Sequence, residues 1–287
     1  MAEQGLPQRV GDERDRVVPS ALRRMRSPRA AALGAAVEAA LREDRLLFAF
    51  QPVVCAASGE VDYFECLLRM RDEAGGLVAC GEFIAAVEAV GLIGLIDRYV
   101  LGQVFTELAA HPRVRLGFNV SGLTAGDRPW LRSLMSLLRR QPGLASRLVV
   151  EITETAALDD LDESARFVEN LRHAGCRVAL DDFGAGHTSL RHLQLLAVDT
   201  IKIDGAFVRA LGGSRANRVI LRHLLGLTRG FGLRTIAECV ETAEEAMLLR
   251  DEGIGYLQGH HLGRPTIERP WCGSIPAETG PAPGACA

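Results

Sequence analysis

The sequence predicts a (β/α)8 barrel of the TIM type, an α/β fold, on three observations. Short apolar runs alternate with helix-length amphipathic stretches, eight such runs fit within about 230 residues, and nearly every run is broken or ended by a polar residue. Continuous apolar strands separated by helices indicate a parallel sheet covered on both faces. Eight strands in that length favour a closed barrel over an open sheet.

The elements follow in order. Ser27-Pro28 reads as an N-cap with proline at the first helical position, opening one short helix to about Leu41. That helix lies in a flank of mixed charge, residues 1–45, where Arg23, Arg24, Arg26 and Arg29 read as a solvated face. The barrel is expected over 46–270. Its strands are read at 47–54, 61–68, 115–120, 148–152, 177–181, 200–203, 234–237 and 255–257. Helical patterns lie between them at 82–90, 95–110, 130–138, 163–174, 217–227 and 242–250. Gly, Pro and Ala dominate the end of the chain, so a tail at 271–287 is expected to be disordered.

Composition excludes several function classes. The chain has 287 residues, 24% of them charged, and a net charge of only −3. Bulk charge therefore does not hold it to DNA, RNA or a membrane surface. No stretch approaches the roughly 18 apolar residues of a membrane helix, and no signal-peptide pattern opens the sequence. The seven cysteines are scattered, with no C-x-x-C pair, so neither a disulfide framework nor a zinc cage is expected. A cytoplasmic protein fits these features.

The polar residues at the strand ends carry the chemistry. They are Glu65, Asn119, Glu151, Asp181, Asp182, Lys202, Glu238 and Gln258. In a barrel the C-terminal strand ends converge on one mouth. Five carboxylates crowded there cannot all ionise without cations. The oxygen-rich donor set favours hard ions, Mg2+ or Mn2+, over Zn2+. Adjacent Asp181 and Asp182 let one carboxylate bridge two ions, and two ions about 3.5–4 Å apart suit hydrolysis of a phosphodiester. Lys202 is the only lysine among 33 basic residues, yet it sits inside an apolar strand, so a compact point charge is required there. The competing glycine motif, Gly184-Ala185-Gly186, lacks its third glycine. The histidines form no ligand spacing, His260-His261 reads as structural, and no Ser or Cys has a nucleophile's partners.

These residues resemble the EAL-domain family, which hydrolyses the bacterial second messenger cyclic di-GMP. The matching blocks are Gln51-Pro52-Val53, Glu65-Cys66-Leu67-Leu68-Arg69, Glu82-Phe83-Ile84, Asn119-Val120-Ser121 and Glu151-Ile152-Thr153-Glu154. They continue through Asp181-Asp182-Phe183-Gly184, Lys202-Ile203-Asp204, Ala237-Glu238-Cys239-Val240-Glu241 and Gln258-Gly259. The resemblance implies a barrel with an antiparallel first strand and cleavage to linear pGpG. It implies one ion on Glu65, Asn119, Glu151 and Asp181, and another on Asp181, Asp182 and Glu238. Lys202 and Gln258 would position water, while Gln51, Leu67, Arg69, Asp204 and Glu241 would contact substrate. Glu154 would anchor the loop at 182–189, which in the family couples the site to dimerisation.

The departures are Cys66 within the signature triplet, Ala185 and His187 in the loop, and Cys239 in place of glycine after Glu238. No receiver, GGDEF-type or membrane sensor is expected in residues 1–45. Control is therefore expected from a homodimer through the barrel, a regulatory protein partner or expression level. Two functions stay open: an active phosphodiesterase, or a non-catalytic cyclic di-GMP receptor or interaction module on the same barrel. A third, another Mg2+-dependent barrel acting on a different phosphate or enolate, would need binding groups not visible in the sequence.

Overall fold

The computed structural model describes residues 28–154, 157, 160–184, 190–209 and 211–272. Its strands are β1 (Leu46–Cys55), β2 (Val61–Arg71), β3 (Leu77–Ala79), β4 (Leu116–Val120), β5 (Leu148–Thr153), β6 (Arg177–Phe183), β7 (Thr200–Ile203), β8 (Arg234–Ala237) and β9 (Tyr256–Gln258). They run in the order β1-β9-β8-β7-β6-β5-β4-β2, and a β1–β2 pairing closes the ring. Strand β3 is an antiparallel appendage on β2. The TIM-like barrel read from the sequence is therefore present.

One strand breaks the parallel pattern. β1 is antiparallel to both of its neighbours, β2 and β9. The cause is the connection: residues 56–60 form a tight turn with Gly59 at φ +75°, and a parallel return needs a crossover of a dozen residues or more.

The helices are α1 (Pro28–Arg42), α2 (Cys80–Ala89), α3 (Ile93–Ala110), α4 (Gly122–Ala125), α5 (Arg128–Arg140), α6 (Leu161–His173), α7 (Leu190–Leu196), α8 (Gly205–Arg209), α9 (Arg215–Gly230) and α10 (Ala243–Glu252). Their starts follow local chemistry. Asp160 caps α6 by accepting from Glu163 N. Thr242 and Glu245 form a reciprocal capping box on α10, which ends at Gly253 in the left-handed region. Segments α4, α7 and α8 are too short to show a helical period, so the apolar pattern does not mark them.

Alternation along each strand builds the interior in layers. Val53, Tyr63, Val149, Ala179, Ile236 and Tyr256 pack together inside the ring as an apolar plug. The next inward position toward the mouth is Gln51, Glu65, Glu151, Asp181, Glu238 and Gln258, respectively. The polar mouth thus stands directly on a packed floor. Below the plug, Arg115, Arg177 and Arg234 all pair with Asp62, at 2.7, 3.0 and 2.9 Å.

Five described cysteines are free thiols: Cys66, Cys80, Cys176, Cys239 and Cys272. Cys55 is disulfide-bonded, which departs from the expected all-thiol chain. Residues 273–287 lie outside the described residues, while Trp271 packs edge-on against Phe50, 4.7 Å between ring centroids.

Behind the mouth, Asp97 on α3 is buried and ties down the turn after β4. Its Oδ2 accepts from Ser121 N and Thr124 Oγ1. Burial pushes its pKa up to about 6, against those two hydrogen bonds. The folded state therefore holds this proton more tightly than the unfolded chain, whose carboxyl titrates near 3.8. That stabilisation is fully present below pH 4 and is lost as pH rises through 6. The stability difference between Asp97→Asn and wild type is expected to shift toward the variant by about 2–3 kcal/mol between pH 4 and 8. Urea denaturation at both pH values checks this, and a constant difference would contradict it.

Candidate active site

The strands bring most of the sequence-predicted residues to one place. Lys202 Nζ lies at the centre, 2.7 Å from Glu151 Oε2, 2.9 Å from Glu238 Oε1, 3.0 Å from Asp181 Oδ1 and 3.3 Å from Glu65 Oε2. These groups come from β7, β5, the end of β8, β6 and β2. Gln258 Nε2 on β9 donates to Glu65 Oε2 at 2.6 Å, and Asn119 Nδ2 on β4 donates to Glu65 Oε1 at 2.6 Å. Gln51, opposite Glu65 in the β1–β2 register, donates to Gly263 O at 3.2 Å.

Adjacent residues of a regular strand face opposite ways, so Asp181 and Asp182 should not share a site. A register shift between Leu180 and Phe183, with Asp182 at φ +56°, removes that constraint. The irregularity re-aims the side chains as a bulge does. As a result, oxygens of Asp181, Asp182 and Glu238 lie within 4.8 Å of one another, and so do oxygens of Glu65, Glu151 and Asp181. Asp181 belongs to both groups.

Electrostatics make this cluster receptive to cations. Burial alone would lower the Lys202 pKa, but Asp181, Glu151, Glu238 and Glu65 together hold it well above the ordinary lysine value, so it is charged. One ammonium does not balance the carboxylates. Burial and repulsion from Glu65 push Glu151 up to about 8 despite Lys202. Burial likewise raises Glu238 and, with Asp181 beside it, Asp182. Among the described residues, Glu151 Oε2 and Asp181 Oδ1 are buried and accept no well-aligned hydrogen bond, although both lie within ion-pair distance of Lys202. Buried oxygens with unfilled lone pairs, all carboxylate or amide, fit a hard divalent ion.

Two hollows meet at this cluster. One, about 230 Å3, is lined by Gln51, Lys202, Glu238, Glu241 and Gln258, with His260 at its edge. The other, about 380 Å3 and mainly apolar, runs past Asn119 and Asp182 toward α2 and α3. Leu67 and Asp181 line both.

Arg69, Asp204 and Glu154, also predicted, line neither hollow. Arg69 donates to its neighbour's carbonyl, Leu68 O, at 2.9 Å. Asp204 accepts from Ala206 N at 2.8 Å. Glu154 is buried, and its Oε2 accepts from Gly184 N at 2.7 Å, at the start of the loop that follows β6. Ala185 and His187 lie outside the described residues.

Two features were not read from the sequence. Tyr63, beneath the cluster, donates to Glu151 Oε1 at 2.9 Å. Its position two residues before Glu65 was the available signal. Cys239 adopts φ +54°, a left-handed conformation that costs a Cβ-bearing residue about 1–2 kcal/mol. Cys239→Gly is expected to stabilise the fold by about 1 kcal/mol, after allowing for glycine's extra chain entropy. Chemical denaturation checks this, and a loss of stability would contradict it.

The structure is thus a closed barrel with a lysine-centred mouth whose carboxylates are grouped so that they could hold divalent ions. The sequence model of the EAL domain matches residues 35–265, and the chain belongs to the EAL-domain family. It is 31% identical over 231 residues to the cyclic di-GMP phosphodiesterase NbdA of Pseudomonas aeruginosa, covering 79% of this chain and 30% of that protein. Among solved structures it resembles the PaMucR phosphodiesterase in its c-di-GMP complex, with a TM-score of 0.76 at 31% identity, covering 82% of this chain and 97% of that one. It also resembles the FimX EAL domain from Pseudomonas aeruginosa bound to c-di-GMP, with a TM-score of 0.77 at 29% identity and coverage of 82% and 97%. The chain spans roughly a third of the length of the curated relatives it matches. Among the described residues no helix is long and apolar enough to cross a membrane.

Proposed function

We propose that this chain hydrolyses cyclic di-GMP to linear pGpG with the help of two divalent ions, Mg2+ or Mn2+. One observation carries the reading: Asp181 belongs to both carboxylate groups, and a charged lysine is buried between them. Glu65, Asn119, Glu151 and Asp181 would hold one ion, and Asp181, Asp182 and Glu238 the other. Bound there, such ions lower the pKa of water and offset charge on the phosphate.

The chain's own residues do the rest. Lys202 holds a fixed positive charge against the developing negative charge of the phosphate. Among the described residues the buried Gln258 Oε1 has no hydrogen-bond partner, which leaves it able to accept from a water. Leu67, between the two hollows, gives a base an apolar surface, and a ligand with two bases suits two hollows that meet at the carboxylates. Gln51, Arg69, Asp204 and Glu241 would complete the binding surface, and Glu154 would steady the loop after β6. A cytoplasmic site of action and self-association through the barrel belong to the same reading.

The test is chromatographic detection of pGpG after mixing the protein with cyclic di-GMP and Mg2+ or Mn2+, with EDTA as the blank. Metal-dependent pGpG supports the enzyme. Binding of cyclic di-GMP without product would favour the receptor reading.

A further inference from the structure

Tyr63 lies inside the barrel, 2% exposed, directly below the acidic mouth. It belongs to the apolar plug, where a phenylalanine would pack as well, so its hydroxyl calls for a reason. That hydroxyl donates to Glu151 Oε1 at 2.9 Å. The other carboxylate oxygen, Oε2, faces Lys202 at 2.7 Å and accepts no aligned hydrogen bond among the described residues. The two oxygens of Glu151 are thus distinguished: one is tied to the barrel interior and the other presented to the mouth.

The neighbouring strand is shaped around this contact. A Cβ on Gly117 would lie 2.5 Å from Tyr63 Cε2 and 2.6 Å from Glu151 Oε1. Any side chain there would push the ring or the carboxylate out of place. Gly117, at the inward position before Asn119, leaves the space that the phenol and carboxylate fill.

We propose that Tyr63 is a positioning residue that makes Glu151 a one-oxygen metal ligand, holding Oε1 so that only Oε2 is offered to an ion. This rests on the two-metal reading above. A buried carboxylate free to turn would lose orientational order on binding an ion, whereas one held by a phenol is already set. Partners that orient metal ligands in this way typically contribute 10–100-fold in affinity.

The experiment measures Mn2+ binding to the purified full chain from the electron paramagnetic resonance signal of free Mn2+, for wild type, Tyr63→Phe and Gly117→Ala. Thermal melting in EDTA is recorded alongside. Tyr63→Phe keeps the ring and removes only the donor. It is expected to bind Mn2+ about tenfold more weakly, to regain most of its turnover at saturating Mn2+, and to melt close to wild type. Gly117→Ala is expected to weaken Mn2+ binding as well. A folded Tyr63→Phe protein that binds Mn2+ within twofold of wild type would overturn the proposal and leave Tyr63 as packing alone. If that variant does not fold, unchanged Mn2+ affinity in Gly117→Ala overturns it equally. Wild-type protein that binds no Mn2+ would remove the metal reading and this inference together.

Discussion

Lys202→Met is expected to lose turnover by about a thousandfold and to melt well below wild type in EDTA. The side chain is 1% exposed, and its ammonium is within 3.3 Å of four carboxylates. Removing one partner of a buried ionic cluster leaves uncompensated charge, a loss of about 3–5 kcal/mol. The remaining carboxylates then take up protons or bind cations more avidly, so added Mg2+ should recover part of the lost melting temperature. It should not recover the rate, because a preorganised positive charge aimed at the reacting phosphate is worth about 10²–10³ in turnover. Lys202→Arg should fail to rescue. A planar guanidinium is broader than an ammonium and cannot occupy the same filled space. Rates and melts of the three proteins check this, and a Lys202→Met protein with ordinary turnover would contradict it.

Asp181→Asn and Asp182→Asn are expected to separate cleanly. Asp181 supplies an oxygen to both carboxylate groups, whereas Asp182 belongs to one. Neutralising Asp181 therefore weakens both ions, and turnover should fall by about 10³ or more, as when several transition-state contacts are lost together. Neutralising Asp182 weakens one ion, so turnover falls while one Mn2+ per chain stays bound. Both substitutions remove negative charge from an over-acidic site, so neither should unfold the protein, and Asp182→Asn should raise the melting temperature in EDTA. Counting bound Mn2+ alongside pGpG formation distinguishes the two. Normal hydrolysis by folded Asp182→Asn would refute its role.

Much of the site was legible because strand alternation is a simple rule. An apolar interior residue followed two positions later by a polar one recurs at Val149 and Glu151, Ala179 and Asp181, Ile236 and Glu238, and Tyr256 and Gln258. That spacing places polar groups one layer above a packed core. Lys202 was legible as the only lysine in an arginine-rich chain. The same rule hid Tyr63, since an aromatic residue in an apolar run reads as core.

Other features depend on three-dimensional constraints that periodicity does not encode. Reading every apolar run as a parallel strand conflicted with the short link at 56–60, and only the family resemblance pointed to an antiparallel β1. The irregularity that brings Asp182 toward Asp181 combines a register shift against β7 with a left-handed backbone at Asp182, neither of which the apolar pattern encodes. The left-handed backbone at Cys239 sits where glycine would be expected, so the residue type concealed the conformation.

A phosphodiesterase that needs two ions has a direct signature. Metal-free protein should be titrated with Mn2+ in the presence of cyclic di-GMP, with bound Mn2+ and pGpG followed together. The rate is expected to rise as the second equivalent of Mn2+ binds and to disappear with EDTA. Full turnover with a single bound ion, or turnover that survives EDTA, would contradict it.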